Sequence, residues 1–231
     1  MGKGNTIMNV VYCVTANYID KIKPSIRSLR DFNPDAKIYL VTEANECDIK
    51  DVEVIDIRDQ KWFPENGVNY HNPYTYIGLL KTVYTELLPC DKVLHMDADT
   101  IVNGSLNALD EIDMEGKWYA MCEEKYGHYR PFGEKYYNAG VFLLNLKQMR
   151  EDHISERMVE YLNTVPQPFC EQDAFVKYGI EEDKIIELDS KWNESCVTGY
   201  VEKPKIVHFC AIKDWWNNTQ MPRAELLYLY R

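Results

Sequence analysis

The chain has 231 residues, 45% of them hydrophobic, enough to bury a sizeable core within one α/β domain. Its formal net charge of −11, with no cluster of Lys and Arg, argues against a nucleic-acid partner. Seven cysteines, an odd number without any C-x-x-C spacing, suit neither a disulfide framework nor a zinc site. No apolar run approaches the length of a membrane span, and the opening MGKGNTIMNVVYCVTA is too polar for a signal peptide, so the expected compartment is the cytoplasm.

Residues 9–15 (NVVYCVT) read as a buried strand. Ile19, Ile22, Ile26 and Leu29 then recur at the spacing of an amphipathic helix, which Asn33-Pro34-Asp35 ends. Residues 37–42 (KIYLVT) and 52–57 (VEVIDI) read as two more strands, and this alternation implies a parallel sheet with helices on its faces. The polar, aromatic and Pro-containing stretch 58–75 is expected to loop over one end of that sheet. Tyr76, Leu79, Leu80, Val83, Leu87 and Leu88 mark a helix stopped by Pro89. Residues 92–96 (KVLHM) form a strand that runs into Asp97-Ala98-Asp99. Further strands are expected at 117–122 and 137–146. A helix follows over Lys147 to Leu162, with Met149, Ile154, Met158 and Leu162 on one side, and a shorter one over Glu171 to Tyr178. Residues 184–188 and 205–210 read as late strands, and the tail from Arg223 as helical. No repeat, low-complexity tract or linker appears, so residues 1–231 read as one domain. Tyrosine is abundant, at 17, and its rings either fill the core or line a site for sugar rings. Asn103, Asn193 and Asn217 each open an N-x-[ST] sequon, read as chance in a chain without a secretory signal.

The segment DKVLHMDADTIV carries the most chemistry. Ligands of open α/β sheets bind beyond the carboxyl ends of strands, which is where Asp97 and Asp99 follow the strand KVLHM. Two carboxylates one residue apart repel each other unless a cation lies between them. A hard divalent ion with oxygen ligands suits the pair, and it would also let an acidic chain hold a diphosphate. A solvated acidic turn is the structural alternative. DADT also fits the D-x-D-x-[TV] pattern of haloacid-dehalogenase phosphatases, with Asp97 as nucleophile and Asp99 as acid/base. That family carries its motif on the first strand, whereas three strands precede it here. It also needs a later acidic pair, for which Glu181-Glu182-Asp183 is the candidate.

Five segments in order resemble glycosyltransferase family 8, which includes glycogenin and bacterial lipopolysaccharide galactosyltransferases. They are VTANYID, LLKTVYTELLPCDKVLHMDADTIV, YYNAGVFLLNL, EQDAF and KIVHFCAIKDWW. The last resembles the family's closing H-F-x-G-x-x-K-P-W. The resemblance implies a GT-A fold: a Rossmann-like, mixed and mostly parallel sheet flanked by helices. It implies a nucleotide-binding half to about residue 104 and a sugar- and acceptor-binding half beyond it. The implied activity is retaining, Mn²⁺-dependent transfer of a hexose, glucose or galactose, from a UDP-sugar to a glycan or other hydroxyl acceptor, with Mg²⁺ as the alternative ion. A haloacid-dehalogenase-like phosphatase and a non-catalytic nucleotide-sugar binding module are the competing functions.

By the same resemblance, Asp97, Asp99 and His208 hold the metal; an imidazole beside two carboxylates favours manganese over magnesium. Val14, Thr15, Asn17 and Tyr18 meet the uridine, with Tyr18 stacked on the base. Lys81, Ala98, Glu123, Asn138, Ala139 and Gly140 contact the donor, the small residues allowing close backbone approach. Glu171 and Gln172 stand at the reactive face of the sugar, and Lys213 binds the diphosphate as a point charge. Three departures stand out. Glu171 replaces an Asp, Ala211 stands where the closing motif has Gly, and Asp214 replaces its Pro, with His208 to Lys213 one residue shorter than usual.

Overall fold

The structure, a computed structural model, describes residues 8–231. The first seven residues of the opening MGKGNTIMNVVYCVTA lie outside this range. Among the described residues no helix is long and apolar enough to cross a membrane.

A seven-stranded sheet runs in the order β3-β2-β1-β4-β7-β6-β8. Its members are β1 (Asn9–Cys13), β2 (Lys37–Thr42), β3 (Glu53–Asp56), β4 (Lys92–Met96), β6 (Tyr119–Glu123), β7 (Tyr137–Asn145) and β8 (Ile185–Leu188). The pairs β1–β2, β2–β3, β1–β4 and β6–β8 are parallel; only β7 is reversed, antiparallel to both β4 and β6. The sheet is therefore mixed and mostly parallel, as expected. Its central strands read as continuous apolar runs because both faces are covered: Val10, Val11 and Tyr12 are all fully buried. Two short strands, β5 (Thr100–Val102) and β9 (Ile206–His208), pair separately and antiparallel.

One face of the sheet packs against α1 (Ile19–Phe32), where Ile22, Ile26 and Leu29 point inward. Each such side chain contributes about 2 kcal/mol by leaving water. The other face is covered by α2 (Tyr76–Leu79), α3 (Tyr84–Leu87), α5 (Leu146–Glu151), α6 (Ile154–Thr164) and α7 (Glu171–Glu181). The short α4 (Asn107–Asp110) joins the first face, and α8 (Ala224–Tyr230) packs on α1 and near the β5–β9 pair.

Two expected helices are interrupted. The stretch 76–88 is α2 and α3 joined by a tighter 3₁₀ segment at Leu80–Val83. The helix expected over 147–162 breaks between α5 and α6, where His153 adopts a left-handed φ of 51°. Apolar periodicity survives this break because Met149, Ile154, Met158 and Leu162 all still face the core. Strand β5 is an addition to the expected elements, within the stretch that follows Asp99.

The reversal of β7 positions the site. Met96 at the end of β4 lies opposite Val141, and the Asp97 amide donates to the Gly140 carbonyl at 2.7 Å. The start of β7, Asn138-Ala139-Gly140, is thereby set beside the carboxylate pair that follows β4.

Candidate active site

A cleft of about 620 Å³ opens at this end of the sheet, lined by the ends of β1 and β4, the start of β7, the start of α7 and the loops around 73–75, 124–130 and 208–215. On its floor Asp97, Asp99 and His208 present ligand atoms all within 4.8 Å of one another. Two separate chain segments supply them. Asp97 and Asp99 follow β4, while β9 pairs with β5 in a register that sets His208 opposite Thr100. The Phe209 amide donates to the Asp99 carbonyl at 2.8 Å, which fixes the approach. His208 Nε2 lies 3.3 Å from Asp99 Oδ1 and 3.9 Å from Asp97 Oδ2.

The group fits a divalent cation on two counts. First, Gly140 leaves the space. A Cβ there would stand 2.1 Å from His208 Cε1 and 2.8 Å from Asp97 Oδ2, so any larger residue would displace the ligands. Second, the imidazole tautomer is set from behind. Asn193 donates through Nδ2 to Asn138 Oδ1 at 2.8 Å, so its own Oδ1 accepts from His208 Nδ1–H at 2.9 Å. The Nε2 lone pair is left for the cation.

The same lattice continues into the sugar side of the cleft. Asn138 Oδ1 also accepts from the Gly140 amide at 3.0 Å, and its Nδ2 donates to Glu124 Oε1 at 2.9 Å. Gln172 donates to that Glu124 oxygen at 3.1 Å and accepts from the Ala139 amide at 2.9 Å. Every amide orientation in this chain from His208 to Gln172 is therefore determined by its partners.

Lys81 is buried beneath the floor, its Nζ 2.9 Å from Asp97 Oδ1 and 3.2 Å from Glu171 Oε1. Burial pushes its ammonium down, and the two carboxylates outweigh that and raise it, so it stays charged. Burial alone would push Asp97 up; Lys81 and His95 hold it well below the usual carboxylate range. Burial raises Glu171, even though Lys81 lies beside it. His208 is pushed down by burial but carried above its ordinary value by Asp99 and Asp97. His95, on β4, is pushed down to about 4 by burial and by Lys81.

The cleft brings together most of the residues that the sequence singles out: Val14, Thr15, Tyr18, Lys81, Asp97, Ala98, Asp99, Asn138, Ala139, Gly140, Glu171, Gln172 and His208 all line it. Three do not. Asn17 is exposed outside it and accepts from Thr15 Oγ1 at 2.5 Å. Glu123 ends β6 outside the lining, and its neighbour Glu124 lines the cleft instead. The β6–β7 register also shifts between Met121 and Cys122, with the extra residues on β7, which brings Asn138 opposite Cys122. Lys213 is exposed and stands outside the lining. The shortened loop reaches it with two non-glycine residues in left-handed geometry, Ala211 at φ 62° and Asp214 at φ 53°. Glu171 faces inward toward Lys81 and Gly78, not the mouth of the cleft.

Sequence reasoning missed Glu124, His95 and Asn193. Asn193 stood out only as the head of a sequon. The tyrosines divide between structure and site. Tyr129 and Tyr136 both donate to the buried Asp173, which pins the 124–136 loop to α7, while Tyr74 and Tyr126 stand more than half exposed at the mouth. The Tyr18 ring carries the Lys21 ammonium 4.0 Å from its centroid, which leaves the opposite face for a base. The acidic run Glu181-Glu182-Asp183, on which a phosphatase reading depends, ends α7 and does not line the cleft.

A family model described as glycosyl transferase family 8 matches residues 9–219. A putative glycosyltransferase of Haemophilus influenzae is 26% identical over 174 residues, covering 67% of this chain and 52% of that protein. Glycosyltransferase GlyD of Streptococcus pneumoniae serotype 4 is 24% identical, covering 95% of this chain and 30% of that protein. The chain thus spans about half the length of the first relative and less than a third of the second. Among solved structures, the galactosyltransferase LgtC in complex with donor and acceptor sugar analogues superposes with a TM-score of 0.75 at 22% identity, covering 96% of this chain and 95% of that one.

Proposed function

For a chain that belongs to glycosyl transferase family 8 and has a GT-A fold, we propose that the activity is retaining, Mn²⁺-dependent transfer of a hexose from a UDP-sugar to a glycan hydroxyl. The observation that carries this reading is the convergence of Asp97, Asp99 and His208 around a gap that only a glycine at 140 leaves open. Asp97 Oδ2, the Asp99 carboxylate and His208 Nε2 would hold the cation, and one imidazole among carboxylates favours manganese. When bound, the cation neutralises negative charge that gathers on the departing diphosphate. LgtC, with its donor and acceptor sugar analogues, supports a sugar donor and a sugar acceptor.

The protein's own groups do the rest. Val14 and Thr15 border the uridine, and the free face of Tyr18 stacks on the base. Asn138 and Glu124 offer polar atoms to sugar hydroxyls, and Ala139 and Gly140 let the ring approach the backbone. Lys81 stabilises negative charge from beneath the floor. Lys213 lies outside the cleft in this structure, so Lys81 is the buried lysine nearest the metal ligands. Gln172, held at both ends of its amide, faces the anomeric carbon as positive charge develops there. Glu171 is ion-paired with Lys81 and only 7% exposed, a poor disposition for a nucleophile that must reach C1. This favours front-face attack, in which the acceptor oxygen bonds C1 as the C1–O bond to the diphosphate breaks. The departing phosphate oxygen then takes the acceptor's proton. Tyr74 and Tyr126 at the mouth present ring faces to an acceptor sugar.

Screening a panel of nucleotide sugars for metal-dependent hydrolysis and transfer tests the proposal. Turnover of one UDP-hexose that stops on chelation is the expected result. Binding without any turnover would instead indicate a non-catalytic module, and turnover of simple phosphate esters a phosphatase.

A further inference from the structure

We infer that His95, backed by Tyr84, is a positioning residue for the metal site: it occupies one oxygen of Asp97 so that the other is presented to the cation. The inference rests on the metal-dependent reading above and concerns a residue that does not itself touch metal or donor.

His95 sits on β4 with no exposed surface, two residues before Asp97 and therefore directed to the same side. Both ring nitrogens are engaged. The Tyr84 hydroxyl lies 3.0 Å from Nδ1, and Nε2 lies 2.9 Å from Asp97 Oδ1. An ionised carboxylate can only accept, so Nε2 carries the proton and Nδ1 accepts from Tyr84. Asp97 Oδ1 also receives Lys81 Nζ at 2.9 Å. Two donors thus converge on Oδ1, while Oδ2 faces His208.

Lys81 does not fix this orientation alone, because its ammonium is shared with Glu171 and the Ala139 carbonyl. The imidazole is rigid and wedged between rings, its centroid 5.5 Å from that of Phe142 and 5.8 Å from that of Tyr84. A histidine serving only the core could satisfy its donor on the backbone. Here the donor is spent on a carboxylate of the proposed ligand set, the arrangement by which outer groups orient metal ligands.

The test is Mn²⁺ affinity in the presence of saturating UDP, read by electron paramagnetic resonance of the free ion, with no turnover required. Wild type, His95→Phe, His95→Gln, Tyr84→Phe and Asp99→Asn are compared, and each fold is checked by its metal-free melting curve. His95→Phe should weaken binding roughly tenfold or more, the scale on which such outer partners act. His95→Gln should stay within roughly threefold of wild type, since its amide can donate to Asp97 and accept from Tyr84. Tyr84→Phe should fall between them. Wild-type affinity in a folded His95→Phe, or equal loss in the Gln and Phe variants, would overturn the inference while leaving the metal site standing. If His95→Phe does not fold, Tyr84→Phe decides, and unchanged affinity there overturns it. A wild type that binds no more Mn²⁺ than Asp99→Asn would overturn the metal reading itself, and this inference with it.

Discussion

Gly140→Ala adds one methyl group at the narrowest point of the site. Its Cβ would stand 2.1 Å from His208 Cε1, 2.8 Å from His208 Nε2 and 2.8 Å from Asp97 Oδ2. Ordinary carbon contacts begin near 3.4 Å, so the ring must retreat by about 1.3 Å. The backbone is held as well, because the Gly140 carbonyl accepts from the Asp97 amide just beyond the last β4–β7 pair. Nor can His208 turn freely, since Asn193 holds its Nδ1. A metal site tolerates ligand shifts of only ~0.2 Å, and a misplacement of about 1 Å at a reacting centre costs roughly a hundredfold in rate. Gly140→Ala should therefore lower Mn²⁺ affinity at least ~10-fold, a loss of ~1.4 kcal/mol or more, and turnover by roughly two orders of magnitude. Overpacking should cost about 1–3 kcal/mol of stability, small enough for the variant to fold. The assay pairs a metal titration with metal-dependent UDP-sugar turnover and a thermal melt. A folded Gly140→Ala with wild-type affinity and turnover would refute the argument that this glycine exists to admit the ligands.

Four further outcomes follow from the geometry. Glu171→Gln keeps the shape and removes the charge, so front-face transfer predicts turnover within roughly tenfold of wild type, whereas an essential nucleophile predicts its abolition; the companion Gln172→Ala should lower turnover by ~10-fold or more with little change in donor affinity, the mark of a contact made in the transition state. Ala211→Gly relieves a left-handed alanine at φ 62° and should match or exceed wild-type stability by up to about 1 kcal/mol in urea unfolding; clear destabilisation would show that the loop does not hold this conformation. Asp152 accepts from Trp118 Nε1 at 2.7 Å and Lys184 Nζ at 3.2 Å, and although burial pushes its carboxyl up, these donors carry it below its usual range. Its stabilisation is present above the unfolded carboxylate range near pH 4 and is lost as pH falls through the lowered folded value. Asp152→Asn should thus cost about 1–2 kcal/mol at neutral pH and progressively less in acid, followed by tryptophan fluorescence; a pH-independent difference would contradict the sign.

What the sequence made legible depended on repetition. Continuous apolar runs and the 3.6-residue period located nearly all the strands and the main helical stretches, and the order of elements around Asp97-Ala98-Asp99 was enough to set the carboxylates at a strand end. Where a signal is carried by one residue, it was not readable. The break between α5 and α6 depends on the backbone of His153 alone, and the apolar stripe on either side continues through it. Glu123 and Glu124 are adjacent and alike, and nothing in composition or period says which of them lines the cleft. His95 and Asn193 are isolated polar residues in buried segments; their partners, Asp97 and His208, are identifiable only once β4, β7 and β9 have come together. Lys213 was carried over from a motif whose glycine and proline are absent here. The positive φ at Ala211 shows the local geometry at the position nearest that missing glycine.

The proposed function requires that the donor be held through a cation by Asp97, Asp99 and His208. It is tested most directly by calorimetric titration of a UDP-hexose into the wild-type protein, once with Mn²⁺ and once with a chelator. Binding with the metal and its loss without it are expected. Equal affinity under the two conditions would contradict it.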